Sequence, residues 1–190
     1  RDDVMHNALE AIIGELNAGD SREEAHSRTV RALCEAFGKR AGMNTDELKR
    51  LGEAAALHDI GKIVLPKRLL NRIYRLTDEE RNEVKKHPII GYRILNSFDT
   101  TMNFAETVLC HHERWDGTGF PKRLLGEQIP LHARIIAVAE SYDRMCYDTE
   151  GSSEEKKQKA LENIRRGSGH HFDPDIAREF IDMIESADAF

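Results

Sequence analysis

The sequence lacks any apolar run long enough to span a membrane, and it has too few cysteines for a disulfide framework or a zinc ribbon. Cys34, Cys110 and Cys146 are widely spaced, which favours a reducing cytosol. An excess of basic residues is also missing, since the formal net charge is -6, and this argues against binding of duplex nucleic acid. The chain has no recognisable signal peptide and does not begin with Met, so we expect a domain of a longer signalling protein.

Strand patterns, internal repeats and low-complexity tracts are missing as well. Apolar residues instead recur at helical spacing, and the balance of 39% hydrophobic and 33% charged residues is that of a globular domain. No domain boundary interrupts the pattern. The sequence therefore predicts one all-α domain over residues 1–190, a bundle of eight to ten helices.

Capping boxes mark the start of several helices. The pairs are Ser21–Glu24, Asn44–Glu47, Thr77–Glu80 and Ser152–Glu155. With these starts, we predict helices over residues 3–16, 21–40, 44–59, 77–87, 88–95, 102–113, 131–147, 152–166 and from 173 onwards. Residues 114–130 contain glycines and prolines that exclude a regular element.

The segment His58-Asp59-Ile60-Gly61-Lys62 carries the first chemical signal. An imidazole beside a carboxylate suits a metal that accepts mixed nitrogen and oxygen ligands, and a carboxylate can bridge two metals. Gly61 permits a close backbone approach, and Lys62 offers a point charge for a phosphate. A His-Asp pair alone is weak support, because such pairs are often only hydrogen-bonded.

Further histidines and carboxylates fall at predicted helix ends or on apolar helix faces, as in helical bundles that hold dinuclear sites. The seven candidate ligands are His26, His58, Asp59, His87, His111, His112 and Glu140. Three of these residues could have a structural role instead of binding metal. His26 could be a core histidine, His87 a helix-terminal residue stabilised by the dipole, and Glu140 a buried ion-pair partner. We assign no function to the remaining histidines or to Cys110, a buried thiol; those histidines are His6, His132, His170 and His171.

Three blocks of the sequence resemble the HD-GYP domains, a branch of the HD phosphohydrolase superfamily. They are HDIGK at His58–Lys62, HHERWDGTGFP at His111–Pro121 and IPLHARIIAVA at Ile129–Ala139. The resemblance covers nearly the whole chain. It implies an HD-domain helical bundle with two divalent transition-metal ions, iron or manganese. One ion would be held by His26, His58, Asp59 and Glu140, and the other by Asp59, His87, His111 and His112.

The resemblance also implies roles in catalysis. Asp59 would bridge the metals, water activated between them would attack phosphorus, and Lys62 would contact the scissile phosphate. The implied substrate-binding residues are Lys62, Arg114, Gly119, Phe120 and Pro121.

The sequence departs from the family pattern at several positions. Phe120 replaces the tyrosine of Gly-Tyr-Pro, Glu140 replaces an aspartate, and Thr149, followed by Glu150, replaces an arginine. The last change predicts weaker binding of cyclic di-GMP. Arg22 stands where some members have a glutamate for a third metal, so we expect two metals.

The function that follows from the resemblance is a cytoplasmic phosphodiesterase that opens a cyclic dinucleotide, first of all cyclic di-GMP, to linear pGpG or GMP. One alternative is a phosphohydrolase for another phosphoester or cyclic dinucleotide. Another is a sensor without turnover, in which the loop Arg114–Pro121 binds a partner such as a GGDEF-domain protein. We expect no membrane contact in this domain, and a dimer is a candidate assembly.

Overall fold

The computed structural model describes residues 2–19, 21–70 and 75–186. In these ranges the chain forms ten α-helices, three short 3-10 helices and no β-strand, which confirms the all-α prediction. The 3-10 helices span Ile60–Val64, Met102–Phe104 and Gly126–Gln128. The α-helices are α1 Asp2–Gly19, α2 Ser21–Arg40, α3 Thr45–Leu57, α4 Lys67–Leu70, α5 Asp78–Val84, α6 His87–Leu95, α7 Ala105–Leu109, α8 Leu131–Asp148, α9 Ser153–Gly167 and α10 Pro174–Ser186.

Local hydrogen bonds set the start of three helices. The predicted capping boxes of α3, α5 and α9 are confirmed, because in each the capping side chain and the glutamate three residues later bond each other's backbone N–H. The box predicted at Ser21 cannot be assigned in this way: α2 already includes Ser21, and residue 20 lies outside the described residues.

The helix predicted over residues 102–113 is shorter than expected. A 3-10 turn precedes α7, and α7 ends at Leu109, because Cys110 with φ -100° and ψ 4° has left the helical region. The helix predicted over 77–87 likewise ends early, at Val84, and α6 begins at His87.

Helix α8 runs through the centre of the domain and packs against α2 and α9. Its middle is fully apolar, with Ile135, Ile136 and Val138 completely buried. Phe180 of α10 closes the same core and is also fully buried. No helix in the described part of the chain has the length and apolar character that crossing a membrane requires.

Candidate metal centre

Shortly after each of three helices ends, a histidine side chain turns back onto that helix. The Nδ1 atom of His58 lies 2.7 Å from the carbonyl oxygen of Ala55 at the end of α3. His87 and His111 make the same contact, each at 2.6 Å, with the carbonyl three residues earlier at the ends of α5 and α7. These bonds satisfy carbonyls that a helix end leaves unpaired, and they fix each ring with Nε2 pointing away from the helix.

The carboxylate of Asp59 lies where these rings converge, and it is 1% exposed. One oxygen, Oδ1, is 3.1 Å from Nε2 of His87 and 3.6 Å from Nε2 of His111. The other, Oδ2, is 3.2 Å from Nε2 of His58 and 3.9 Å from Nε2 of His26. Asp59 therefore has one oxygen toward each pair of histidines, which is the arrangement that a bridging carboxylate needs.

All seven residues predicted as metal ligands come together around this carboxylate. Asp59, His87, His111 and His112 form one group that could hold an ion, and His26, His58 and Glu140 form another. Within each group the ligand atoms lie within 4.8 Å of one another.

The protonation of the rings shows whether these groups fit metal ions. A carbonyl can only accept, so Nδ1 of His58, His87 and His111 carries the proton, and Nε2 of the neutral ring is a lone pair. Nε2 of His87 nevertheless lies 3.4 Å from Nε2 of His111, and both of these atoms are lone-pair nitrogens. Lone pairs this close repel unless a cation lies between them, so the donor set fits metal ions.

Buried atoms without hydrogen bonds support the same conclusion. Within the described ranges, Nε2 of His26, Nε2 of His58 and Oδ1 of Asp59 are buried and have no hydrogen-bond partner. Leaving such atoms unsatisfied is costly, and buried polar groups in proteins are therefore almost always partnered. A satisfied core histidine, the structural alternative for His26, is not what the structure shows.

Burial keeps most of these rings neutral. It lowers the pKa of His26 and of His111 to about 4, and it lowers the pKa of His112 well below its usual value. His58 differs: burial again opposes its charged form, but the adjacent Asp59 carboxylate raises its pKa overall. Neutral imidazole is the form that ligates metals.

The carboxylates of Asp59 and Glu140 stay ionised despite burial. Burial alone would raise the pKa of Asp59, but His58 and Lys62 hold it well below its usual range. Glu140 is affected in the same way, because Arg144 and then His112 outweigh burial and lower its pKa. The ion pair expected as the structural alternative for Glu140 is thus present, to Arg144.

Glu23 also belongs to this centre. The sequence analysis considered only its neighbour Arg22 and did not identify Glu23 as a candidate ligand. It is 7% exposed, accepts a hydrogen bond of 3.1 Å from Lys62, and with His26 and Asp59 forms a third group that could hold an ion. Burial and then the Asp59 carboxylate raise the pKa of Glu23 to about 7. Its spacing of three residues before His26, on one face of α2, is the signal that could have found it.

Gly61 allows the HD segment to approach α6. A Cβ atom at this position would lie 1.9 Å from the carbonyl oxygen of His87 and 2.7 Å from the amide nitrogen of Gly91. The close approach places His87 against Asp59. His87 begins α6, and its ring also bonds the carbonyl of Val84 at the end of α5, so the helix-terminal position expected as its structural alternative is present as well.

The loop after His112 is held by the buried side chain of Glu113. Its carboxylate accepts hydrogen bonds from the backbone N–H of Lys122 at 2.6 Å and of Leu124 at 3.0 Å. A Cβ atom on Gly119 would lie 2.3 Å from the amide nitrogen of Arg114, so only glycine fits there. Phe120 stacks on the ring of His112, with centroids 5.1 Å apart and planes at 16°.

A cleft of about 1340 Å³ opens over the centre. Its described walls include Lys62, His112, Glu140 and Arg144. His171, to which we assigned no function, also lines it. Of the residues expected to bind substrate, only Lys62 lines the cleft; Arg114, Gly119, Phe120 and Pro121 do not, and Phe120 reaches it only through His112.

Thr149 stands where the family pattern has an arginine. It is buried at the end of α8, its N–H bonds the carbonyl of Met145, and it does not line the cleft. The adjacent Glu150 does, and Lys62 and Arg144 are cations in the cleft wall that sequence position alone did not place together.

Comparison with known proteins gives the family. Residues 10–176 match the HD domain family. A cyclic di-GMP phosphodiesterase of Thermotoga maritima is 33% identical over 184 residues, which cover 96% of this chain and 50% of that protein. The 3'3'-cGAMP-specific phosphodiesterase 2 of Vibrio cholerae is 30% identical over 179 residues, covering 92% and 34%.

A solved structure shares the fold. Bd1817, an HDG"Y"P protein from Bdellovibrio bacteriovorus, has a TM-score of 0.70 at 22% identity, covering 97% of this chain and 62% of that one. This chain spans half or less of the length of the curated relatives it matches. With the family match extending over most of its length, the chain belongs to the HD domain family, in its HD-GYP branch.

Proposed function

We propose that this domain is a metal-dependent phosphodiesterase that opens a cyclic dinucleotide, with cyclic di-GMP as the first candidate, to linear pGpG or GMP. The observation that carries the proposal is the pair of ligand groups around Asp59 at the floor of the large cleft. We assign the ligands as the sequence predicted, with two divalent ions, iron or manganese. Relatives named as cyclic di-GMP and 3'3'-cGAMP phosphodiesterases support the substrate class.

The chain's own residues supply binding and charge. Bound divalent ions would provide Lewis-acid charge and an activated water. Lys62 is 2.9 Å from Oδ2 of Asp59 and lines the cleft, so its ammonium faces both the centre and the ligand. A fixed cation beside a phosphate stabilises the negative charge that develops in the transition state. The stacked Phe120 keeps the ring of His112 in place.

The cellular setting remains part of the proposal. Cys34, Cys110 and Cys146 are free thiols, which supports a cytoplasmic location. Glu113 accepts hydrogen bonds from the backbone just after the loop Arg114–Pro121, at Lys122 and Leu124, which supports a binding surface there. A GGDEF-domain partner at this loop and a dimer stay predictions.

The test is hydrolysis of cyclic di-GMP, 3'3'-cGAMP and cyclic di-AMP by protein purified without oxygen, with products separated by chromatography. We expect cyclic di-GMP to be opened, and Lys62→Met to lower turnover about 10²–10³-fold while metal content changes little. Preference for another cyclic dinucleotide would overturn the substrate and keep the reaction class. Metal-loaded protein that hydrolyses none of the three would overturn the proposed function.

A further inference from the structure

Arg144 lies inside the cluster of carboxylates that the metal centre would use. It follows Glu140 by one turn of α8, and its Nε donates a hydrogen bond to that carboxylate. Its Nη2 donates to Oδ2 of Asp59 at 2.9 Å and lies 3.8 Å from Oε1 of Glu23. The side chain is 20% exposed, at the wall of the cleft.

The carboxylates that hold Arg144 belong to residues that metal ions would need. Asp59 and Glu140 belong to the two main ligand groups, and Glu23 belongs to the third. Oδ2 of Asp59 already accepts from Arg144 and from Lys62, each at 2.9 Å. A divalent ion on the same oxygens would meet the guanidinium at close range, where two cations repel strongly because little water screens them.

The guanidinium stays charged in this environment. An arginine guanidinium does not lose its proton in proteins, and here the carboxylates of Glu140, Asp59 and Glu23 surround it. Arg144 therefore cannot yield its place by losing a proton, and it can only move.

We propose that Arg144 and divalent metal ions compete for the carboxylates of Asp59 and Glu140, and that metal loading turns the guanidinium into the cleft, where it binds a phosphate of the ligand. The second half rests on the proposed function. A planar guanidinium matches a phosphate with two parallel hydrogen bonds, and Arg144 already borders the space the ligand would occupy. The domain would thus gain an anion-binding cation only after its metals are in place.

The first experiment measures Mn²⁺ binding to metal-free protein by calorimetry, without nucleotide. Arg144→Met keeps the length of the side chain and removes the competing charge, so we expect Mn²⁺ affinity to increase about tenfold. Lys67→Met is the matched control, because Lys67 lines the same cleft, while the ion pairs of Asp59, Glu140 and Glu23 among the described residues are made by other side chains. It should change Mn²⁺ affinity less than about twofold if the effect is local.

The second experiment measures binding of a non-hydrolysable cyclic di-GMP analogue to Mn²⁺-saturated protein, where Arg144→Met should bind about tenfold more weakly. Arg144→Lys should give intermediate values in both titrations, and it replaces Arg144→Met if that variant does not fold. Unchanged or weaker Mn²⁺ affinity in the Arg144 variants overturns the competition. Unchanged analogue affinity overturns the phosphate contact. Because the Mn²⁺ titration contains no nucleotide, a failure of the proposed hydrolysis would leave its result intact.

Discussion

His26 and Asp143 are joined by a contact of 2.5 Å between Nδ1 and Oδ2, and the same oxygen accepts a hydrogen bond of 2.9 Å from Arg22. This pair connects α2 to α8 and turns Nε2 of His26 toward Asp59. A carboxylate behind a ligating histidine fixes its ring and raises its basicity. Asp143 thus positions a predicted ligand although it does not itself face the metals.

Removing the Asp143 carboxylate should weaken metal binding although Asp143 is not itself a predicted ligand. We expect Asp143→Ala to lower Mn²⁺ affinity about 10–100-fold, the usual effect of losing such a partner. Calorimetric titration of metal-free protein is the measurement. Asp175→Ala is the control, since the exposed carboxylate of Asp175 on α10 pairs with Arg178, and its backbone N–H, which alanine keeps, donates to Oδ1 of Asp173. Equal affinities in the two variants would contradict the assigned role.

The close approach at Gly61 predicts a large effect from one methyl group. In Gly61→Ala the new Cβ would overlap the carbonyl oxygen of His87, so the backbone must shift and carry His87 away from Asp59. We expect a loss of about 1–3 kcal/mol in stability and a lower metal content. Urea unfolding and elemental analysis would measure the two effects.

Gly14→Ala provides the matched control for this substitution. Gly14 is an exposed residue of α1, and a methyl group added there would meet no neighbouring side chain within 4 Å among the described residues, so alanine should stabilise the helix by roughly 0.5–1 kcal/mol. If Gly61→Ala behaved like Gly14→Ala, the packing of the HD segment against α6 would not be what positions His87.

The hydrogen bonds that Glu113 accepts from the loop after His112 predict that removing its carboxylate loosens this loop. Glu113→Ala removes the acceptor for two backbone N–H groups, at Lys122 and Leu124, and each unsatisfied group costs about 1–3 kcal/mol. We expect faster hydrogen exchange and faster proteolysis within residues 114–125. Glu127→Ala, at an exposed residue, should leave both rates unchanged. Equal protection of the loop in the two variants would show that Glu113 does not hold it.

The buried histidines predict how the stability of the metal-free protein depends on pH. Burial lowers the pKa of His26, His111 and His171 to about 4, against about 6.5 in the unfolded chain. Between pH 6.5 and 4 the unfolded chain therefore binds more protons, and stability falls as the pH falls. The two fully buried rings, His26 and His111, should each contribute on the order of 1–3 kcal/mol.

Glu23 and His58 change the pH dependence of stability differently from these histidines. Glu23, with its pKa raised to about 7, makes the folded state bind one more proton between about pH 4.5 and 7, which offsets about one histidine. The pKa of His58 is raised, so its protonated ring stabilises the folded state. That stabilisation is lost only as the pH rises above the ordinary pKa of histidine. The net expectation is a lower urea midpoint at pH 4.5 than at pH 6.5 in the presence of a chelator; equal midpoints would contradict it.

Local sequence signals predicted the parts of the fold that local interactions determine. The capping boxes at Asn44, Thr77 and Ser152 are confirmed because each needs only residues within one turn. The end of α7 was missed because the ring of His111 bonds the carbonyl of Val108, and no periodicity reveals that. Histidines and carboxylates at predicted helix ends and on apolar helix faces gave the seven ligand candidates, which the fold brings together from separate elements.

The remaining differences depend on how helices pack. Glu23 and Arg144 meet at Asp59 only because α2 and α8 lie side by side, and their positions in the sequence do not show this. Thr149 was expected in the ligand pocket by alignment with the family pattern. Its burial at the end of α8 shows that a position in a motif does not determine the direction of a side chain.

The central claim is that Asp59 joins two metal sites, and elemental analysis of oxygen-free preparations tests it most directly. Wild-type protein should contain about two transition-metal ions per chain, as expected of a two-metal site, and Asp59→Ala should contain almost none because it loses the carboxylate that has one oxygen toward each pair of histidines. Full metal content in a folded Asp59→Ala variant would contradict the bridging role and the account built on it.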